Sequence, residues 1–193
     1  MANVDRPNGF RFAKTLDGGS AVAMVRKYEA ADRSADTTNN HGDIYIGDPV
    51  KLVSGKVLPA NSGDTILGVA VGTGNSSDID HGDQGYFNAN SLETRYLAHE
   101  ETTGLVAVLP ASNCLFEVQT AADLDLLPGS AADISTDATE AHGSRTTSLS
   151  SCELVTSVNA DVKVVEQVET PDNDATLVNA RHLVMFQTIE NAQ

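Results

Sequence analysis

Apolar and polar residues alternate with a period of two along most of this chain, and stretches with a 3.6-residue repeat are scarce. Ala21–Tyr28 is apolar enough for a first strand, and Ile44-Tyr45-Ile46 is a short one closed by Gly47-Asp48. Val50–Val53, Ser54-Gly55 and Lys56–Pro59 spell a tight hairpin, whose two-residue loop pairs Leu52 with Val57 and Val50 with Pro59 on one face. After a turn at Asn61–Asp64, the strand Ile66–Gly72 sets Leu67, Val69 and Val71 on one face. Its other face carries Ile66, Gly68 and Ala70, small enough for another backbone to come close.

Further strands are expected at Leu105–Leu109, Cys114–Gln119, Leu154–Val158, Val162–Val168 and Leu183–Ile189. In the second of these, Cys114, Phe116 and Val118 share a face opposite Glu117 and Gln119. Ala121–Leu127 is expected to make one helical turn, and Ser91–Glu101 reads equally as a capped short helix or a strand at Tyr96-Leu97-Ala98. The Gly/Asp-rich stretch from Gly74 to Asn90 and the Ser/Thr/Ala-rich stretch 135–151 are expected to be long surface loops. Many short strands joined by turns predict an all-β fold, a compact barrel or sandwich with little helix.

Charge divides the chain unevenly. Residues 1–33 hold six Lys/Arg against four Asp/Glu, a formal +2, while the other 160 hold six against 23, a formal −17; together they give −15. A basic, aromatic, Pro/Gly-punctuated opening, Arg6-Pro7-Asn8-Gly9-Phe10-Arg11-Phe12, on an acidic remainder predicts an extended N-terminal arm that tethers a partner. Alternation places Phe10 and Phe12 on one side of that arm and Arg11 on the other, so the arm suits strand addition to a partner's sheet edge. The expected organisation is thus an arm over residues 1–20 and a β-rich body over 21–193.

Net charge and a pI near 4.4 argue against nucleic acid and against anionic membrane surfaces as partners. No run approaches the roughly 18 apolar residues of a membrane span, and no apolar leader opens the chain. Cys114 and Cys152 read as buried thiols of a reduced compartment, with a bridge between neighbouring strands left open. The five histidines, His41, His81, His99, His142 and His182, are scattered, and neither a metalloprotease spacing, a nucleophile elbow nor a phosphate-cradling loop is present. No catalytic residues and no cofactor are therefore assigned. The one weak metal candidate is Asp78, Asp80 and Asp83, three hard oxygen donors near Gly82 that suit Ca²⁺ but depart from the EF-hand pattern; a solvated acidic loop is the plainer reading, and no metal is assigned.

Several segments taken together resemble the capsid decoration (cement) proteins of tailed phages, especially aquatic ones. Asn8-Gly9-Phe10-Arg11-Phe12-Ala13-Lys14 with Leu16-Asp17-Gly18-Gly19 is similar to their opening Pro-x-Gly-Phe arm. Gly47-Asp48-Pro49-Val50-Lys51-Leu52, Gly55-Lys56-Val57 and Ile66-Leu67-Gly68-Val69-Ala70 are similar to their Gly-Asp, hairpin and Leu-Gly-Val-Ala unit. Leu115-Phe116-Glu117-Val118-Gln119 and Gly129-Ser130-Ala131-Ala132-Asp133 are similar to a Phe-Glu-Val-Gln strand and the small-residue turn after it. Regions 74–103 and 135–151 match nothing in that pattern and read as loop insertions.

The resemblance implies a non-enzymatic virion protein, a homotrimer at or near three-fold positions on the outer capsid surface, bound to the major capsid protein and assembled in the host cytoplasm. Its capsid-binding arm would carry Arg6, Pro7, Asn8, Gly9, Phe10, Arg11 and Phe12. A competing reading is a receptor- or carbohydrate-recognition module of a phage head or tail fibre using the two long loops, although the chain has no Trp and only four Tyr to form a sugar platform.

Overall fold

The computed structural model describes residues 3–33, 42–75, 96–99, 104–135, 143–147 and 149–190. Among them the chain is nearly all β and arranged as a sandwich, without a closed barrel. One layer is a six-stranded antiparallel sheet. Its order is β1 (Arg11–Thr15), β9 (Cys114–Gln119), β15 (Arg181–Phe186), β14 (Val162–Gln167), β10 (Ala131–Ile134), β13 (Leu154–Thr156). The other layer is five-stranded, in the order β2 (Arg26–Glu29), β8 (Gly104–Pro110), β6 (Gly68–Asn75), β4 (Pro49–Val53), β5 (Lys56–Pro59). Two small ribbons complete the set, β3 (Ile44–Tyr45) with β7 (Tyr96–Leu97) and β11 (Gly143–Ser144) with β12 (Leu149–Ser150).

The main core lies between the layers, where Phe116, Val118, Val164, Val184 and Phe186 of the larger sheet meet Val69 and Leu109 of the smaller. A second core forms on the far side of the smaller sheet, with Ile44 and Leu97 against Val50, Val57, Ala70, Val106 and Val108. That sheet curls until its edge strands touch at a single bridge, Ala30 to Val57. Burial on both faces explains why β8 reads Leu105-Val106-Ala107-Val108-Leu109 with no polar alternation.

The hairpin forms in the expected register, Leu52 opposite Val57 and Val50 opposite Pro59. Cys114, Phe116 and Val118 share the core face as expected, and both cysteines are buried free thiols. At Gly68 a Cβ would collide with the Leu109 carbonyl oxygen, so the close approach anticipated for that face is real. Its alternation is phased differently, however: Ile66 joins Val69 and Val71 at the main core and Leu67 joins the second core. Ladder pairing starts only at Gly68, and Ile66 is bound instead by the Thr188 carbonyl and the Glu190 N–H.

Three other expectations are corrected. Ala21–Met24 is a single helical turn, α1, before β2; the turn lets Ala21 and Met24 both reach the main core, which an extended segment would not. Ala121–Leu127 forms no helix. Of Gly129–Asp133, a turn by the resemblance, the part from Ala131 belongs to the strand β10, Ala131–Ile134. Pairing on both sides, with β13 and β14, and burial of Ala132 and Ile134 override the low β-propensity of its alanines and aspartate. Asp133 accepts from the backbone N–H groups of Val158, Asn159 and Ala160 at 2.7, 2.8 and 2.7 Å. Asp161, at the end of that loop, accepts from the Gly63 N–H at 2.8 Å and the Ser62 hydroxyl at 2.7 Å, tying the two layers together.

The N-terminal segment is extended, as expected, but it is bound to its own body rather than free. Phe10 is 2% exposed. Its ring lies 4.9 Å from that of Phe186 and 6.4 Å from that of Phe116, and the latter two are 5.5 Å apart. β1 then adds to the edge of the large sheet through β9, with Phe12 opposite Phe116. A ring of this size has a lower free energy in an apolar pocket of its own chain than in water, which is why the basic stretch does not stay detached. Gly9 makes the entry possible. It sits at φ +62°, and a Cβ there would lie 2.5 Å from Ser150 Cβ and 2.6 Å from the Gly47 oxygen.

Phe10→Ala is expected to cost about 3–5 kcal/mol, read from urea unfolding, and removal of residues 2–12 should destabilise the body comparably. A truncated chain as stable as the full one would contradict this seating. A second expectation concerns His182 of β15, which is fully buried with neither ring nitrogen hydrogen-bonded. Burial lowers its pKa below the ordinary 6.5. The unfolded chain therefore takes up the proton first, and stability should be full above about pH 6.5 and fall below it. In His182→Leu this acid-side loss should be reduced in urea melts taken at descending pH.

Candidate binding surface at the N-terminal edge

Among the described residues β1 is the outer strand of the large sheet and pairs with β9, and no described strand occupies its other backbone edge. The segment leading into it is fixed at three points. Asn3 donates to the carbonyls of Asp174 and Val178 at 2.8 and 3.0 Å and accepts from the Asp174 N–H at 2.7 Å. The Arg6 N–H donates to Gln119 Oε1 at 3.0 Å, and the Phe10 N–H donates to the Gly47 carbonyl at 2.9 Å. At the far end, the Leu16 N–H donates to the Asn113 carbonyl at 2.9 Å.

Alternation along this strand divides the surface into two depressions. On one side a groove of about 510 Å³ is lined by Phe10, Phe12, Ile46, Val71 and Leu149 among others. Phe10 is seated in its floor, whereas Phe12 remains 39% exposed. Val71 reaches it because it is the extra residue where the pairing of β6 with β8 shifts between Ala70 and Gly72. On the other side a polar cleft of about 130 Å³ is lined by Arg6, Arg11, Glu117, Gln119, Asn179 and Arg181 among others. Phe10 and Phe12 line only the groove, whereas Asn8 and Arg11 border both depressions, and the strand register sets Arg11 opposite Glu117 and Phe12 opposite Phe116.

Gln119 is the fixed point of the polar cleft. Its amide nitrogen donates to Glu153 at 2.7 Å, Asp5 at 3.1 Å and Asn179 at 3.4 Å, so its carbonyl is aimed at the Arg6 N–H. Burial raises the pKa of Glu153, against the Gln119 hydrogen bond, and the nearby Asp5 charge adds to the rise. Arg181 bridges Glu117 at 3.4 Å and Asp172 at 2.8 Å. Of the residues expected at this surface, Arg6, Asn8, Gly9 and Arg11 reach the polar cleft and Phe10 and Phe12 the groove, with Pro7 half-buried between. Gln119 stood out in the sequence only as a polar alternate in β9. Arg181 did not, because its strand was expected to start at Leu183.

Beneath the entry point lies a buried carboxyl. Asp48 accepts the Tyr45 N–H at 2.7 Å on Oδ2, while Oδ1 accepts no hydrogen bond. Burial pushes its pKa up to about 7, opposed by hydrogen bonds from Ser150 and the Tyr45 N–H and reinforced by the charge of Asp43. A second polar centre joins the two small ribbons. Asp43, fully buried, is held by Arg145 at 2.7 and 3.0 Å, by the His99 N–H at 2.8 Å and ring at 2.9 Å, and by the Tyr45 hydroxyl at 2.9 Å. Burial works against its charge, but these bonds, Arg145 foremost, outweigh it and hold the carboxyl below its usual range. Both oxygens are taken from within the chain, so this centre acts as a cross-link between ribbons.

Asp78, Asp80 and Asp83, together with His41, His81 and His142, lie outside the described residues. So does most of the two expected loop regions, whose described parts form β7, β11 and β12. No family model, curated protein or solved structure matches the chain.

Asp48 yields a pH dependence with a definite sign. Its folded pKa lies above the unfolded value of 3.8, so its contribution to stability is full below that value and is lost as pH rises towards about 7. The stability of Asp48→Asn relative to the wild type should therefore increase between these limits, by up to about 1.4 kcal/mol per pH unit, and level off above them. Parallel stability curves for the two proteins in a pH series of urea melts would contradict the assignment.

Proposed function

We propose that this chain is a non-enzymatic structural protein that binds the outer surface of a tailed-phage capsid shell, as a homotrimer at or near three-fold positions, and docks through the β1 edge onto the major capsid protein. The observation that carries this reading is the meeting in space of segments that resemble decoration proteins. Gly9 of the Asn-Gly-Phe stretch packs backbone to backbone on Gly47 of the Gly-Asp-Pro stretch. The Gly47 N–H donates to the carbonyl of Ala70, the end of the Leu-Gly-Val-Ala stretch, at 2.8 Å. Phe12 lies opposite Phe116 of the Phe-Glu-Val-Gln strand. Segments far apart in sequence that match one pattern and also interlock support a shared framework better than scattered coincidences do.

The open edge offers main-chain donors and acceptors for strand addition, with an apolar groove beside it to receive side chains. Repeated copies of such a contact in a trimer reinforce one another once one has docked. Docking here leaves residues 3–12 bound to the body, so the strand is an edge presented to the partner and not a free arm.

Co-sedimentation with expanded capsid shells tests the reading. The wild-type chain should pellet with shells, and Phe12→Asp, at an exposed position and with unchanged melting, should bind at least about tenfold more weakly, a loss of about 1.4 kcal/mol. Absence of binding by the wild type, or equal binding by the variant, would overturn it.

A further inference from the structure

The polar cleft contains arginines that no described carboxylate pairs with. With 27 Asp and Glu against 12 Lys and Arg, carboxylates are in large excess. Lys14, Lys51, Lys56, Arg145 and Arg181 each lie within ion-pair distance of one. Arg6 and Arg11 have no carboxylate at that distance among the described residues. Both nevertheless line the same cleft of about 130 Å³, which their own backbone helps to build. The Arg6 backbone is fixed through Gln119, and Arg11 is fixed at the start of β1 opposite Glu117.

We propose that this cleft is a binding site for a single carboxylate group, received between the guanidinium groups of Arg6 and Arg11 and supplied by an acidic side chain of the protein that docks on β1. The charge of the lining selects the ligand class. Arg181 is paired with Glu117 and Asp172, and Asp5 and Glu153 sit close by on Gln119, so Arg6 and Arg11 face a ligand in surroundings rich in carboxylate, which favour one negative charge over a phosphate dianion. The planar fork of a guanidinium pairs two donors with the two oxygens of a carboxylate, and such charge-assisted pairs are stronger than neutral hydrogen bonds. The cleft and the apolar groove lie on the two faces of one strand, so a partner paired to the open edge can reach both. The partner assignment rests on the docking reading above; the carboxylate site itself does not.

The test begins with the free, full-length chain and propionate, a monoanion that mimics a glutamate side chain, at neutral pH and constant ionic strength. The Nε–Hε NMR signals of Arg6 and Arg11 should move saturably with propionate and not with chloride, while that of Arg26 stays in place. The double variant R6Q/R11Q, at exposed positions and checked for unchanged melting, should lose the response. Shifts that are unsaturable, shared by all arginines or retained in the variant would overturn the site, and tighter binding of inorganic phosphate than of propionate would overturn the carboxylate class. Co-sedimentation of R6Q/R11Q with shells then tests the source: an affinity reduced at least tenfold supports the partner's side chain. Unchanged capsid binding by a variant that has lost propionate binding overturns that source while leaving the docking reading standing.

Discussion

The seating of Phe10 against Phe116 and Phe186 is the contact on which the rest of this structure depends. It places an aromatic ring from the first dozen residues at the centre of the core between the two sheets. It requires two glycines, since the backbones at Gly9 and Gly47 approach too closely for either to carry a side chain. Once the ring is in place, the following residues have no choice but to run along β9. The large sheet thereby gains its outermost strand, and the surface gains an open edge flanked by two depressions of opposite character. Packing, and not the charge contrast between the two ends of the chain, decides where the N-terminus lies.

Elements whose two faces differ in polarity were legible from the sequence. The hairpin of β4 and β5 and the strand Cys114–Gln119 have one apolar and one polar face, so period and register follow directly from the residues. Elements decided by tertiary demand were not. β10 carries two alanines and an aspartate, residues depleted in strands, and it is held by its neighbours β13 and β14 while Asp133 binds the N–H groups of the 158–160 loop. α1 resolves an apolar stretch whose period is too short to tell strand from helix. The alternation Phe10-Arg11-Phe12 is visible in the sequence, but nothing local to it announced an intramolecular pocket for Phe10. That pocket is made of residues more than a hundred positions away.

Buried polar groups in this chain follow a consistent logic. Asp133, Asp161 and Asp43 are each surrounded by donors and serve as cross-links between segments that hydrophobic contact alone would leave unregistered. Asp48 and His182 lack a full set of partners, and both avoid charge by shifted titration, one upwards and one downwards. Below neutral pH their effects on stability oppose each other, Asp48 gaining and His182 losing as the pH falls.

The central claim is that the N-terminal segment is part of the folded core and presents its edge outward. Native-state amide hydrogen exchange measures this residue by residue. The Phe10 amide, bonded to the Gly47 carbonyl, should exchange only through global unfolding, with the same protection as the Ala70 amide bonded to Asp48. A Phe10 amide that exchanges at the rate of an unstructured chain while Ala70 remains protected would contradict the account.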